Sequence, residues 1–205
     1  MSYSSKLIEK AVEEFSNLPS IGKKSAFRLV LHLIQKDKES VESFLYAISN
    51  MKENLKKCKT CFNLSDDLEC AICTNVARDK QVICVVESVR DVIAIEETQQ
   101  YNGSYHVLGG VISPLEGIGV DDIKIVELIK RVQEVNAKEL IMALSPTIEG
   151  DTTVFYISKK LAESEVRIST LSRGVAFGSE LEYTDEFTLG RSILSRVPYT
   201  QSSLK

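Results

Sequence analysis

The sequence predicts an α+β chain of several modules: a helical front, a four-cysteine metal module, an α/β domain around a parallel sheet, and a short C-terminal segment. Three observations predict it. Apolar residues recur at helical spacing through the first sixty positions. Four cysteines crowd into residues 58–73. From residue 81 onward, short continuous apolar runs alternate with stretches of helical period, as expected of a parallel sheet with helices on both faces.

The elements follow in order. Leu7, Ile8, Ala11, Val12 and Phe15 form one helical face. Leu18-Pro19-Ser20-Ile21-Gly22 breaks the helix, and Ala26, Leu29, Val30 and Leu33 mark a second one. Val41, Phe44, Leu45, Ile48 and Met51 mark a third, with Asp37 placed to cap it. Val82 to Val86 is apolar throughout and predicts a strand buried on both faces. A helix over 88–98, a strand over 105–108 and a Gly- and Pro-containing loop over 109–119 come next. Ile125, Leu128, Ile129 and Val132 predict a helix opened by Asp121 and Asp122. A second buried strand over 140–144, a helix over 151–164 and a strand over 166–170 complete the alternation. A loop, a short helix over 184–194 and a partly ordered tail end the chain. The expected modules run 1–57, 58–77, 78–172 and 173–205.

At 205 residues the chain is long enough for one or two domains with a real core. Hydrophobic residues make up 43% and charged ones 26%, which excludes disordered, collagen-like and coiled-coil classes. No apolar run approaches the ~20 residues of a membrane span. Residues 1–10 carry Lys6, Glu9 and Lys10 and lack an apolar signal region. The expectation is a cytoplasmic protein without membrane contact. The net charge of −4 hides an asymmetry: residues 1–60 hold 11 basic and 7 acidic side chains, residues 61–205 hold 14 and 22. A basic front on an acidic body restricts nucleic-acid binding to the front.

Cys58-Lys59-Thr60-Cys61 and Cys70-Ala71-Ile72-Cys73 are two CxxC pairs eight residues apart. Two intervening residues let both sulfurs of a pair face one centre from a tight turn. Two such knuckles complete a tetrahedral thiolate site for one structural zinc per chain. Four protein ligands leave no open position for catalysis. Binding of this kind contributes ~10–16 kcal/mol in small peptides, enough to fold a segment too polar to have a core. Disulfides and a redox CxxC are the competing readings; a reducing compartment disfavours the first, and two facing pairs the second. Cys84, inside the first buried strand, reads as a small core residue.

In Leu18-Pro19-Ser20-Ile21-Gly22-Lys23-Lys24-Ser25-Ala26, Gly22 opens the second helix and allows a ligand close to the backbone. Free N–H groups and the helix dipole suit a phosphate there, and Lys23, Lys24 and Arg28 add charge. The segment resembles the helix-hairpin-helix motif, which grips the sugar-phosphate backbone of DNA without reading bases. An ordinary helical hairpin with a solvated basic face is the competing reading. One hairpin neutralising ~3 phosphates gives weak, non-specific binding, so a DNA role predicts several copies in one assembly.

Glu87 follows the first strand; Glu149 and Asp151 follow the strand over 140–144. Ligands of parallel sheets bind at those strand ends, and clustered carboxylates there could hold Mg²⁺. The region resembles the Toprim domain of topoisomerases and primases, whose enzymes place an Asp-x-Asp after the later strand. Here Ser145 and Thr147 occupy those positions, within Ser145-Pro146-Thr147-Ile148-Glu149-Gly150-Asp151. The crevice therefore reads as non-catalytic, at most a weak Mg²⁺ site, with solvated loop acids as the plainer alternative.

The ordered combination of hairpin, four-cysteine module and Toprim-like domain resembles the RecR family of bacterial recombination mediators over nearly the whole chain. The hairpin segment, the segment over 145–152, Ser172-Arg173-Gly174 and residues 178–185 carry the likeness. The resemblance implies a non-enzymatic role in repair of single-strand gaps. Such proteins act with RecO and RecF to help load the recombinase onto single-stranded DNA. It implies a ring-like homotetramer that encircles single- or double-stranded DNA without sequence preference, with Lys23, Lys24 and Arg28 facing the hole. Glu87, Glu149 and Asp151 would meet RecO, and the C-terminal segment from 177 to 198 would serve oligomerisation. A Toprim-type Mg²⁺-dependent enzyme and a protein-interaction scaffold are the alternatives.

Overall fold

A computed structural model describes residues 5–176 and 178–198. Phe177, at the start of the expected oligomerisation segment, and the last seven residues of the expected tail lie outside the described residues. The chain divides into two units, Met1–Leu55 and Lys56–Lys205.

The first unit is helical: α1 (Lys6–Ser16), α2 (Lys23–Ile34) and α3 (Lys38–Asn54). Ser5 caps α1 by accepting the N–H of Leu7, and Asp37 caps α3 by accepting that of Ser40 at 2.8 Å. Val12 from α1 and Ala26 and Val30 from α2 are buried, with Ile8, Ala11, Phe15, Ile21 and Phe27 packed around them. The apolar stripe expected on α3 forms, but α3 buries no residue; Leu45 is 58% and Met51 54% exposed. Helical spacing identifies the stripe without specifying what covers it.

The second unit begins with the cysteine module: a two-residue ladder between β1 (Lys56–Lys57) and β2 (Leu64–Ser65), then the single turn α4 (Ala71–Thr74). Then follow β3 (Asp79–Val86), α5 (Val89–Glu97), β4 (Gly103–Val107), α6 (Ile125–Glu134), β5 (Glu139–Ala143), α7 (Ile148–Lys160), β6 (Arg167–Thr170) and α8 (Glu186–Leu194). The four longer strands form one all-parallel sheet in the order β4-β3-β5-β6. On one face Ile83, Val85, Leu140 and Met142 pack with Leu128 and Val132 of α6 and Ile157 of α7. On the other, Cys84, Val86, Tyr105 and Val107 pack with Val92 of α5. The apolar run from Val82 thus serves both faces, because alternate residues of a strand point opposite ways. Gly103 is required where β4 starts: a Cβ there would overlap the Tyr101 ring and the Val82 carbonyl. No helix among the described residues is long and apolar enough to cross a membrane.

Two expected helix starts are corrected. Asp121 and Asp122 do not open α6, which begins at Ile125; Asp122 instead accepts the Gly119 N–H at 2.8 Å and closes the preceding turn. A carboxylate satisfies a loop amide as well as a helix terminus, so charge alone misplaced the boundary. Helix α7 begins at Ile148 rather than at Asp151, because Thr147 accepts the Gly150 N–H at 3.1 Å and caps it. Glu149 and Asp151 therefore sit in the first turn of a helix, not in a loop.

Candidate functional site

Three places carry chemistry. The first is the α1–α2 hairpin. Leu18 N–H bonds Phe15 O and Ile21 N–H bonds Leu18 O, and Ser20 takes a left-handed φ of 64° between them. This folds the chain back so that Gly22, extended at φ −80° and ψ 163°, becomes the N-cap of α2. A Cβ on Gly22 would meet nothing within 4 Å, so internal packing does not demand the glycine. Helix α2 has no side-chain cap and no acidic residue in its first turn, which leaves amide donors for an external acceptor. Lys23, Lys24 and Arg28 are all exposed, and among the described residues none has an acidic partner. The structure brings the four predicted DNA-contact residues together on one helix end.

The second place is the cysteine cluster. All five cysteines are free thiols. The first knuckle turns through Phe62 at φ 62°, closed by the Phe62 N–H to Cys58 O and the Cys58 N–H to Asn63 O. The second is α4, beginning after Cys70. Cys58, Cys61, Cys70 and Cys73 are buried, and their sulfurs all lie within 4.8 Å of one another. Cys61 and Cys70 sulfurs are 3.5 Å apart, and the Cys70 N–H points at Cys58 Sγ at 3.3 Å. Tetrahedral Zn–S bonds of about 2.3 Å set sulfurs about 3.8 Å apart, so the set fits such an ion. Hydrogen bonding from Cys61 lowers the Cys73 thiol to about 6, burial opposes it, and the charge of Arg131 lowers it further. The module is fastened to the sheet: the Val107 N–H on β4 donates to Cys61 O at 2.8 Å, and the Phe62 ring packs edge-on against His106 at 5.3 Å. Burial drives His106 down to about 4, and its Nε2 donates to Lys124 O at 2.8 Å.

The third place is the carboxyl end of the sheet. Glu87 Oε1 accepts the Ser145 N–H at 2.5 Å. Asp151 forms a two-pronged ion pair with Arg173 at 2.7 and 3.2 Å, and that guanidinium holds its carboxyl below the usual range. Glu149 has no side-chain partner among the described residues. A Cβ at Gly150 would overlap the Ser145 carbonyl, so glycine is what lets α7 start this close beneath the loop. Among the described residues these three acids do not form one metal-ligating group; only the cysteines do. Sequence reasoning did not assign Arg173 a role. It lies 22 residues from Asp151, and no local spacing signals the pair. A cavity of about 540 Å³ opens beside it, lined by Met142, Leu144, Thr147, Arg173, Phe187 and Arg191 among others.

Comparison with known proteins gives concordant matches. Residues 8–52 match the RecR helix-hairpin-helix model, residues 81–172 a Toprim domain, and residues 174–197 the RecR C-terminal model. A recombination protein RecR of Phocaeicola vulgatus is 57% identical over 198 residues, 97% of each chain. That of Flavobacterium johnsoniae is 56% identical over 202 residues, 98% of each chain. That of Porphyromonas gingivalis is 49% identical over 200 residues, 98% of this chain and 97% of the other.

Proposed function

This chain belongs to the RecR family, and from that membership and the geometry of its hairpin we propose that it is a DNA-binding recombination mediator without catalytic activity. The observation that carries the reading is the open N-terminus of α2 with three exposed cations, Lys23, Lys24 and Arg28, that have no acidic partner among the described residues. Amide donors, the helix dipole and exposed cations all suit backbone phosphates, which are the same in every sequence. Binding is therefore sequence-independent and salt-sensitive, on single or double strands. One hairpin is weak, so several must act together; a ring-like homotetramer supplies them, with the segment over 177–198 in the subunit contacts.

The four cysteines hold one Zn²⁺. The ion supplies cross-linking, not chemistry: it fixes two knuckles that have no apolar core of their own against the edge strand β4.

Glu87, Glu149 and Asp151 form the face that meets a basic partner, RecO, with RecF acting in the same repair of gapped DNA in the cytoplasm. Glu149, without a side-chain partner among the described residues, is the acid best placed to pair across that interface. A Toprim-type phosphotransfer enzyme is the weaker reading, because Ser145 and Thr147 stand where such a site needs carboxylates. The test is recombinase assembly on gapped DNA coated with single-strand-binding protein. Adding the chain with RecO speeds assembly if the proposal holds; no acceleration at any ratio rejects it.

A further inference from the structure

We infer that Arg131 is the buried counter-charge of the four-cysteine metal site. The inference rests on reading that cluster as a metal site and adds a residue from the neighbouring domain to it.

Arg131 projects from α6 and is only 7% exposed. A guanidinium keeps its charge in a protein. Charged groups this buried are ordinarily paired with an opposite charge. Arg131 is not: among the described residues it has no carboxylate within ion-pair distance. Its acceptors are neutral, the Tyr105 carbonyl at 2.5 Å and Ser104 Oγ at 3.1 Å, and its Nε has no partner among the described residues.

Those acceptors show where the charge sits. β4 is an edge strand and, among the described residues, pairs only with β3. Its outer side is marked by the Val107 N–H, which donates to Cys61 O in the first knuckle. Tyr105 is two residues back, so its carbonyl faces that same outer side. By holding it, Arg131 reaches the seam where the sheet edge meets the cysteine module. Ile72, between Cys70 and Cys73, packs against the Tyr105 and Val107 cluster at that seam.

The charges then complement each other. Four thiolates around a divalent ion carry a net charge of about −2. That charge is buried, and the flanking Lys56, Lys57 and Lys59 are exposed, where water screens them. Arg131 supplies a cation from inside. Without an ion to hold four thiolates together, the guanidinium loses that concentrated counter-charge. Metal occupancy and the packing of α6 on β4 are thereby coupled.

The test is zinc affinity of the full chain, read by competition with a chromophoric chelator such as 4-(2-pyridylazo)resorcinol. Arg131→Met is expected to bind zinc about tenfold more weakly or worse. Arg131→Lys, which keeps the charge, and Ser104→Ala, which removes one anchor but not the charge, are expected to stay within about threefold of wild type. Should Arg131→Met not fold by circular dichroism, Arg131→Gln keeps an amide donor for Tyr105 and carries the same expected loss. Wild-type affinity in the neutral variant overturns the inference. So does an Arg131→Lys as weak as Arg131→Gln, since the loss then follows the guanidinium's shape and not its charge. A wild type that takes up no zinc overturns instead the reading of the cluster.

Discussion

Glu87, at the end of β3, accepts the backbone N–H of Ser145, just past β5, at 2.5 Å. A carboxylate at the carboxyl end of a parallel sheet is thus committed to a neutral loop amide. With Ser145 and Thr147 supplying no carboxylate and Asp151 held by Arg173, the described residues of the crevice offer no converging set of acids. The wild-type chain is predicted to leave single-stranded, duplex and gapped DNA intact in Mg²⁺ or Mn²⁺ on a sequencing gel. Mg²⁺-dependent cleavage that disappears in Glu87→Ala contradicts this. Glu87→Ala, which removes the acceptor, is expected to cost about 1 kcal/mol in a urea melt, less than a buried hydrogen bond to a charged group because this one is solvent-accessible.

Glu149→Lys is predicted to weaken binding of RecO by about tenfold or more in a pull-down or calorimetric titration, because it reverses a charge that has no side-chain partner among the described residues, on the face proposed to meet RecO. DNA affinity of the same variant stays unchanged. An unaltered RecO affinity removes Glu149 from that surface.

Stripping the metal with a chelator, or replacing Cys73 by Ser, is predicted to lower the Tm by about 10 °C or more, given the binding energy of such sites and the size of the chain. The effect extends beyond the module because Val107 and His106 of β4 lean on Cys61 and Phe62. Differential scanning calorimetry with and without chelator checks it; coincident melts contradict the structural role.

Acid is predicted to destabilise the fold through His106. Burial depresses its folded-state value to about 4 from an ordinary 6.5. Between those values the unfolded chain binds a proton that the folded chain refuses, so stability is full above pH 6.5 and is lost as pH falls toward 4. The loss is about 3 kcal/mol over the window. Urea melts of His106→Gln in zinc-saturated buffer should show a correspondingly flatter pH dependence; an identical slope shows that other groups carry the acid sensitivity.

The features legible in the sequence were those with local signatures. Cys58, Cys61, Cys70 and Cys73 announce a shared centre by spacing alone, and the runs at Val82 and Leu140 announce strands buried on both faces. Gly22 with Lys23, Lys24 and Arg28 marks a helix start with a charged rim. What escaped was set by the third dimension. Asp151 meets Arg173 across the end of the sheet, and Arg131 reaches β4 from a helix whose apolar stripe looks ordinary. The start of α7 was misjudged because Thr147 competes with the acids as the cap, and Thr147 also occupies a position that invites comparison with a metal site.

The account rests most heavily on the charge of the hairpin holding DNA, and anisotropy of a fluorescent oligonucleotide titrated with Lys23→Glu/Arg28→Glu tests it directly. Wild type is predicted to bind with an affinity that falls steeply as salt rises, while the double variant, its melting curve unchanged, shows no binding in low salt. A double variant that binds as tightly as wild type, with the same salt dependence, contradicts the account.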